Sequence, residues 1–299
     1  MIRRWMISSL IIVTLMVFIS IFSLKSQVTV EPLKVFVSIL PQAYFVKQIG
    51  GEYVEVAVLV GPGQSPHTYE PTPRQMTALA EARLYFSIGV PFERQLLGKI
   101  SATFRNLEVV DTRRGVPLRA IEGEEHDGHD HAGAEDPHIW LSPQRVKIQA
   151  DNICRALVAY DSAHASFYQR NLDIFKRQLD DIDREIMLKL TPYKGSKFFA
   201  FHPSYGYFAA DYGLVQVAVE IEGKEPGARQ LAVVTDQARA DGVKVIFVQP
   251  QFAVKTAETI ARAVGAKVVA LDPLAEDYIN NLKFMADELA RALSGKNEK

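Results

Sequence analysis

The feature that most constrains the fold is a long amphipathic helix pattern in the middle of the chain, at residues 163–190. Apolar side chains recur there at steps of three and four residues, which places them on one continuous helical face. They are Leu172, Phe175, Leu179, Ile182, Ile186 and Leu190. A helix of about 28 residues is roughly 42 Å long. Because this is too long for a crossover connection inside one small sheet, we expect the helix to join two domains.

Short β-rich runs alternate with helical patterns on both sides of this helix. The first half predicts strands at residues 34–39, 53–60, 84–88 and 107–110. The second half predicts strands at residues 197–201, 214–220, 243–248 and 266–271. Strands that alternate with helices form parallel sheets with crossover connections. The expected fold class is therefore α/β, with two doubly wound parallel-sheet lobes joined by a long rigid helix.

The same patterns predict the domain boundaries. The N-terminal lobe takes residues 33–160 and contains a His-rich loop at residues 122–135. The connecting helix takes residues 161–192, and the C-terminal lobe takes residues 195–299. A chain of 299 residues with 48% hydrophobic content is large enough for two such lobes with their cores.

Residues 1–27 have the composition of a segment that directs export. Arg3 and Arg4 precede a nearly uninterrupted apolar run at residues 5–24, which is the order found in secretory signals. The run of about 20 residues is also long enough to stay in a bilayer as an anchor. We therefore expect export, with the segment either removed as a signal peptide or retained as an N-terminal membrane anchor.

Composition argues against two classes of function. The formal net charge is −1, and no basic stripe is interleaved with aromatic residues, so we expect no nucleic-acid partner. Cys154 is the only cysteine, which rules out an intramolecular disulfide. Because it lies in a helical pattern among apolar residues, we expect a buried, inert thiol.

Four of the seven histidines lie within residues 124–140, and a short His-rich tract is typical of metal binding. The part that holds His126, His129 and His131 is acidic and contains glycine, which favours a solvated loop. The part that holds His138 is tighter, since Pro137 precedes the histidine and Ile and Trp follow it. We expect His138 to be a structured ligand. For the other three histidines, two interpretations remain open: a weaker auxiliary metal site, or a polar insertion without a metal role.

Three further residues lie, like His138, in predicted loops. His202 and Asp272 directly follow strand patterns, and His67 follows one after a short loop. Ligands of open α/β sheets bind beyond the carboxyl ends of the strands, so these four residues can converge in a cleft between the lobes. Three imidazoles and one carboxylate suit four-coordinate Zn²⁺ well. They suit Mn²⁺ less well, because manganese prefers more oxygen ligands and a higher coordination number.

Each of these residues, taken alone, also has a structural interpretation. His67 could be a surface histidine in a Pro-rich loop, and His138 could be hydrogen-bonded in a turn. His202 could cap a helix that begins near Ser204, and Asp272 could be the N-cap of the last helix. The joint placement of the four residues is what favours a metal site.

Four segments carry a resemblance to a known family. They are His-Thr-Tyr-Glu-Pro-Thr-Pro at 67–73, Asp-Pro-His-Ile-Trp at 136–140, Phe-His-Pro-Ser-Tyr-Gly-Tyr-Phe at 201–208 and Leu-Asp-Pro-Leu at 271–274. In this order they resemble the metal-binding segments of the zinc/manganese substrate-binding proteins of ABC importers, of the ZnuA-like zinc-uptake type. The resemblance implies two α/β lobes bridged by a rigid helix, one metal ion between them, and delivery of that ion to a membrane permease with its ATPase.

The resemblance also implies that His67, His138, His202 and Asp272 are the metal ligands. Related manganese binders tend to have glutamate where this chain has His202, which favours zinc. The chain has no cysteine near residue 25 for lipid attachment, which suits a periplasmic protein that is either free or anchored to the inner membrane. Contact with the membrane is then expected through the permease and through any N-terminal segment that is retained.

The expected function is therefore high-affinity periplasmic binding of Zn²⁺ and its delivery to an ABC permease. One alternative is a manganese-binding importer subunit of the same family. A metal-dependent adhesin and a secreted zinc hydrolase are less favoured. The hydrolase lacks support because the chain contains no His-Glu-x-x-His motif, so we expect no enzymatic activity.

Overall fold

The computed structural model describes residues 31–121, 135–220, 227–252 and 254–295. The predicted export segment lies outside the described residues. So do His126, His129 and His131 of the predicted auxiliary site. Across the described ranges, no helix combines the length and the apolar character that crossing a membrane requires.

The first half of the chain forms a four-stranded parallel sheet. Its strands are β1 (Leu33–Ile39), β2 (Val54–Val60), β3 (Leu84–Ser87) and β4 (Glu108–Asp111), in the spatial order β2-β1-β3-β4. The connecting helices are α1 (Leu40–Gly50), α2 (Pro73–Glu81) and α3 (Glu93–Thr103). Strand β1 is central, and Val35 pairs with Val56 on one side and with Leu84 on the other.

The second half repeats this arrangement. Its strands are β5 (Lys197–Ala200), β6 (Val215–Ala218), β7 (Val245–Val248) and β8 (Lys267–Ala270), in the spatial order β6-β5-β7-β8. The helices that follow the first three strands are α6 (Gly206–Tyr212), α7 (Ala228–Ala240) and α8 (Val254–Val264). All pairs in both sheets are parallel, so the predicted fold class is confirmed.

Local sequence explains several helix starts. Helix α2 begins after Thr72, whose hydroxyl accepts from the backbone N–H of Gln75 while the Gln75 side chain accepts from the Thr72 backbone N–H. This capping box satisfies two donors at the helix start. Helix α4 (Pro143–Tyr160) has proline in its first turn and Ser142 as its N-cap.

The central helix is α5 (Ala165–Leu190), which has 26 residues. It packs on α1, on α4 and on the closing helix α9 (Tyr278–Leu293). The six predicted apolar positions are all buried along this contact, together with Tyr168. Because α1 and α9 come from opposite halves of the chain, α5 joins both halves through one hydrophobic seam.

The hydrophobic core is shared unequally between the halves. One large cluster contains the first sheet, the buried face of α5 and much of α6 and α9. A smaller cluster lies among the second sheet, α7 and α8. Cys154 is buried in the large cluster, and burial raises the pKa of its thiol to about 11, as expected for an inert residue.

Candidate metal centre

Three histidines from distant parts of the chain point their ring nitrogens at one another. Nε2 of His202 lies 3.1 Å from Nε2 of His67 and 3.3 Å from Nε2 of His138. Two nitrogens bound to one tetrahedral Zn²⁺, each at about 2.0–2.1 Å, are about 3.3 Å apart. The three imidazoles therefore have the spacing that a shared ion requires. Within the described part of the chain, they form a group whose candidate ligand atoms all lie within 4.8 Å of one another.

The fold brings these rings together as the strand pattern predicts. His202 follows β5 directly, and His67 lies in the loop between β2 and α2. His138 lies in the turn that precedes Ile139–Leu141 and α4. Strand β2 belongs to the first sheet and β5 to the second, and the histidines lie beyond their carboxyl ends. The site is therefore formed by residues from both halves of the molecule.

His138 is held by the carboxylate of Asp136. Its backbone N–H donates to Asp136 Oδ1 at 2.9 Å, and its ring Nδ1 lies 2.7 Å from the same oxygen. Asp136 is only 1% exposed. A carboxylate at Nδ1 fixes the tautomer that carries its proton there, which leaves the lone pair of Nε2 free for a metal.

His202 has an equivalent arrangement with Glu220. Its Nδ1 is hydrogen-bonded to Oε1 of Glu220, whose side chain is fully buried. Gln249 fixes the backbone of the same histidine, since its Oε1 accepts from His202 N at 3.1 Å and its Nε2 donates to His202 O at 2.7 Å. The ring of Phe252 stacks on the imidazole, with centroids 4.9 Å apart.

His67 is held less firmly. Its backbone N–H donates to Ser65 Oγ at 3.3 Å, and its side chain is half-buried. Among the described residues, its Nδ1 has no hydrogen-bond partner comparable to the carboxylates at His138 and His202. This ring therefore reaches the site from a loop whose local contacts do not fix its tautomer.

Burial favours the neutral form of the His67 and His202 rings. Burial, followed by the nearby His202 and His138, lowers the pKa of His67 to about 3. Burial also lowers the pKa of His202, although Glu220 acts in the opposite direction. Neutral imidazoles present the lone pairs that bind metal ions. The donor set thus fits a borderline divalent ion such as Zn²⁺.

Asp272 has a different surrounding. It follows β8, and its Oδ1 accepts from Nε2 of Gln251 at 2.8 Å and from the backbone N–H of Leu274 at 2.9 Å. Its carboxylate is not part of the group of three histidines. The alternative that Asp272 caps the last helix is wrong, because the N-cap of α9 is Asp277. The N-cap interpretation of His202 is also wrong, because Tyr205 is the N-cap of α6.

A narrow cleft surrounds the three histidines. Its other lining residues are mostly apolar and include Val90, Trp140 and Phe252. Trp140 Nε1 donates to Pro273 O at 2.7 Å, which connects the two halves beside the site. Apolar walls lower the local dielectric and strengthen the attraction between a cation and its ligands.

Close approach of the second half to Asp136 requires a glycine. A Cβ atom at Gly206 would lie 2.9 Å from Oδ2 of Asp136. The neighbouring Tyr207 donates its hydroxyl hydrogen to the carbonyl oxygen of Asp136 at 2.9 Å. The carboxylate that orients His138 is therefore itself positioned by α6.

Sequence reasoning missed the orienting roles of Asp136 and Glu220. The signal for Asp136 is its place two residues before His138, from which a short carboxylate can contact the histidine ring. Glu220 ends the segment predicted as a strand at residues 214–220, so a carboxylate at a strand end was visible. Its pairing with His202, 18 residues away, depends on the neighbouring positions of β5 and β6.

Comparison with known proteins decides the family. Residues 35–292 match the family model described as "Zinc-uptake complex component A periplasmic". The chain belongs to this family. The resemblance seen in the four sequence segments is therefore confirmed. The family is one of zinc-uptake components and not of enzymes.

Relatives and solved structures agree with this placement. The chain is 31% identical over 259 residues to the high-affinity zinc uptake system protein ZnuA of Bacillus subtilis (strain 168), covering 82% of this chain and 79% of that protein. It is similar to a crystal structure of ZnuA, with 41% identity, a TM-score of 0.82, and coverage of 88% of this chain and 100% of that one. It is also similar to the substrate-binding protein FpvC of Pseudomonas aeruginosa in complex with Mn²⁺, with 26% identity, a TM-score of 0.76, and coverage of 88% and 99%.

Proposed function

We propose that this protein binds Zn²⁺ with high affinity in the periplasm and delivers it to a membrane ABC permease driven by its ATPase. The observation that carries the proposal is the convergence of three histidine rings. Nε2 of His202 lies 3.1 Å from Nε2 of His67 and 3.3 Å from Nε2 of His138. The match to a zinc-uptake family over residues 35–292 supports the transport role. The metal ion is the cargo, and no catalytic activity is proposed.

The proposed ligand set is His67, His138, His202 and Asp272. The three imidazoles supply neutral nitrogen donors, and Asp272 supplies one negative oxygen. Four-coordinate binding of this kind is common for Zn²⁺ in proteins. The loop that contains His126, His129 and His131 is proposed as an auxiliary, weaker site.

The proposed division of the chain has lobes at residues 33–160 and 195–299, with a connecting helix at residues 161–192. Packing of α5 on helices from both halves supports a stiff connection. Metal release then depends on local movement of loops at the cleft rather than on wide separation of the lobes. Residues 1–27 are proposed as the export signal or as an inner-membrane anchor.

Manganese is the second candidate cargo, because FpvC, a 26% identical relative, was solved with Mn²⁺. The nitrogen-rich donor set of this chain argues for zinc over manganese. Competition between the two metals for the metal-stripped protein separates the candidates. Tighter binding of Mn²⁺ than of Zn²⁺ would replace the proposed cargo with manganese.

The test of the primary site compares two variants in zinc titrations against a chelator of known affinity. His202→Ala removes the ring whose nitrogen contacts both other nitrogens. We expect its zinc affinity to fall by more than about 100-fold, beyond the 10–100-fold typical of losing an orienting partner. Deletion of residues 126–131 is the control and should have a far smaller effect. Circular dichroism checks that both variants are folded, and similar losses in the two would refute the proposed site.

A further inference from the structure

Three hydrogen bonds hold Asp272 in place. Oδ1 of its carboxylate accepts from Gln251 Nε2 at 2.8 Å and from Leu274 N at 2.9 Å. Its backbone carbonyl oxygen accepts from Asn281 Nδ2 at 2.7 Å. The bonds from Leu274 and Asn281 fix where Asp272 lies. The bond from Gln251 reaches the Asp272 side chain from the loop after β7.

These contacts leave the two carboxylate oxygens unequal. A carboxylate oxygen has two lone-pair directions, and the two hydrogen bonds to Oδ1 use both. No such bond engages Oδ2 within the described part of the chain. A metal ion that took both oxygens of Asp272 would have to displace one of the donors from Oδ1. The Leu274 donor is a backbone N–H in a tight turn, so Gln251 is the donor that a side-chain change can remove.

Gln251 is also part of the metal cleft. It lines the same cavity as His67, His138 and His202. Its amide orientation is set by chemistry, since a carboxylate oxygen can accept only from the NH₂ group. Its own Oε1 is buried and has no hydrogen-bond partner among the described residues. Among the described residues, the bond to Asp272 is therefore the hydrogen bond that orients this side chain.

We propose that Gln251 is a positioning residue that sets the metal selectivity of the site, by restricting Asp272 to one free oxygen. This inference rests on the proposed function, in which Asp272 is the fourth ligand. Three nitrogens and one oxygen complete a tetrahedral Zn²⁺ site. Mn²⁺ prefers more oxygen ligands and a higher coordination number, which a carboxylate bound through both oxygens would help to supply. The Gln251 bond thus opposes the geometry that favours manganese.

The experiment uses two substitutions that remove the donor in different ways. Gln251→Leu removes the whole amide, and Gln251→Glu keeps the shape but replaces the NH₂ group with an acceptor. The matched control is Gln144→Leu, because Gln144 also donates to an aspartate, Asp183, at 2.8 Å but lies outside the cleft. Zn²⁺ and Mn²⁺ affinities are measured by competition titration on the full-length protein. Co²⁺ alone is the spectroscopic probe, since tetrahedral Co²⁺ absorbs visible light far more strongly than five- or six-coordinate Co²⁺.

We expect both Gln251 variants to narrow the preference for Zn²⁺ over Mn²⁺ by about 10-fold, in the range seen for outer-shell partners of metal ligands. Their Co²⁺ spectra should weaken toward higher coordination, whereas Gln144→Leu should match the unaltered protein. A defect of packing alone would appear in the Leu variant and not in the Glu variant, and it would lower the affinity for both metals together. That result, or an unchanged metal preference and Co²⁺ spectrum in both variants, would overturn the inference. Failure of the unaltered protein to bind Zn²⁺ would instead overturn the proposed function.

Discussion

His138 and His202 differ from His67 in how their rings are held. The first two are each 5% exposed, and each has a buried carboxylate at Nδ1. His67 is half-buried in a loop, and its backbone N–H donates to Ser65 Oγ at 3.3 Å. The three rings of the proposed metal centre are therefore held unequally. One ring from each half of the chain is fixed by a carboxylate, and the third ring is the one with freedom to adjust.

Among the substitutions that test this inequality without removing a histidine, the largest effect is expected at the two carboxylates. Glu220→Gln and Asp136→Asn keep the side-chain shape but remove the negative charge beside Nδ1 of His202 and His138. Each ring then becomes a weaker donor, so we expect zinc affinity to fall by about 10–100-fold in each variant. Competition titration at pH 7 measures this loss. Wild-type affinity in both variants would mean that the carboxylates do not distinguish these rings from His67.

The pH dependence of stability gives a second, intermediate effect. The pKa of His67 is lowered to about 3 in the folded protein, from an ordinary value near 6.5. Between these values the unfolded chain binds a proton that the folded chain does not, so the free energy of unfolding decreases as pH falls. The metal-free protein should therefore lose thermal stability between pH 6.5 and pH 4.

His67→Gln is the variant that isolates the contribution of this ring. Because glutamine does not titrate, the melting temperature of the metal-free variant should fall less steeply with decreasing pH than that of the unaltered protein. Thermal denaturation at several pH values between 7 and 4 checks this. Parallel curves for the two proteins would show that burial of His67 does not carry the pH dependence.

The smallest effect is expected at the hydrogen bond between Ser65 and the backbone of His67. Ser65→Ala removes the hydroxyl that accepts from the His67 backbone N–H at 3.3 Å. A weak bond of this kind contributes about 0.5 kcal/mol, which corresponds to roughly a twofold change in affinity. Zinc titration of the Ser65→Ala protein should therefore lie close to the unaltered one. A loss as large as that of Glu220→Gln would show that His67 is held as firmly as the other two rings.

Periodicity in the sequence was sufficient to predict both sheets and the central helix. Strand β5 was expected at residues 197–201 and is observed at Lys197–Ala200, because its apolar residues are bounded by clear breaks. The positions of His67 and His202 are predictable because each follows a strand whose carboxyl end faces the cleft. His138 follows no strand, and the tight Asp-Pro-His-Ile-Trp segment is what marks it. Burial of α9 against α5 was not predicted, since an amphipathic pattern shows that a face is buried but not which element covers it.

The supporting contacts of the site were beyond sequence reasoning for a related reason. Glu220 reaches His202 only because β6 lies beside β5, and Gln251 reaches Asp272 only because β7 lies beside β8. Strand order is a property of the assembled sheet. Polar residues at strand ends could be identified from the chain, but their partners could not.

The hydrophobic cluster that runs from the first sheet through α5 into α6 and α9 has a consequence for dissection of the molecule. A fragment that contains only the chain after residue 194 would expose the apolar stripe of α9. This stripe includes Leu282, Met285 and Leu289, which are buried in the intact chain. Each half therefore has its own sheet, but the carboxyl-terminal half needs the amino-terminal half to cover the apolar stripe of α9. Expressed alone, the carboxyl-terminal fragment should aggregate, and co-expression with the amino-terminal fragment should rescue it.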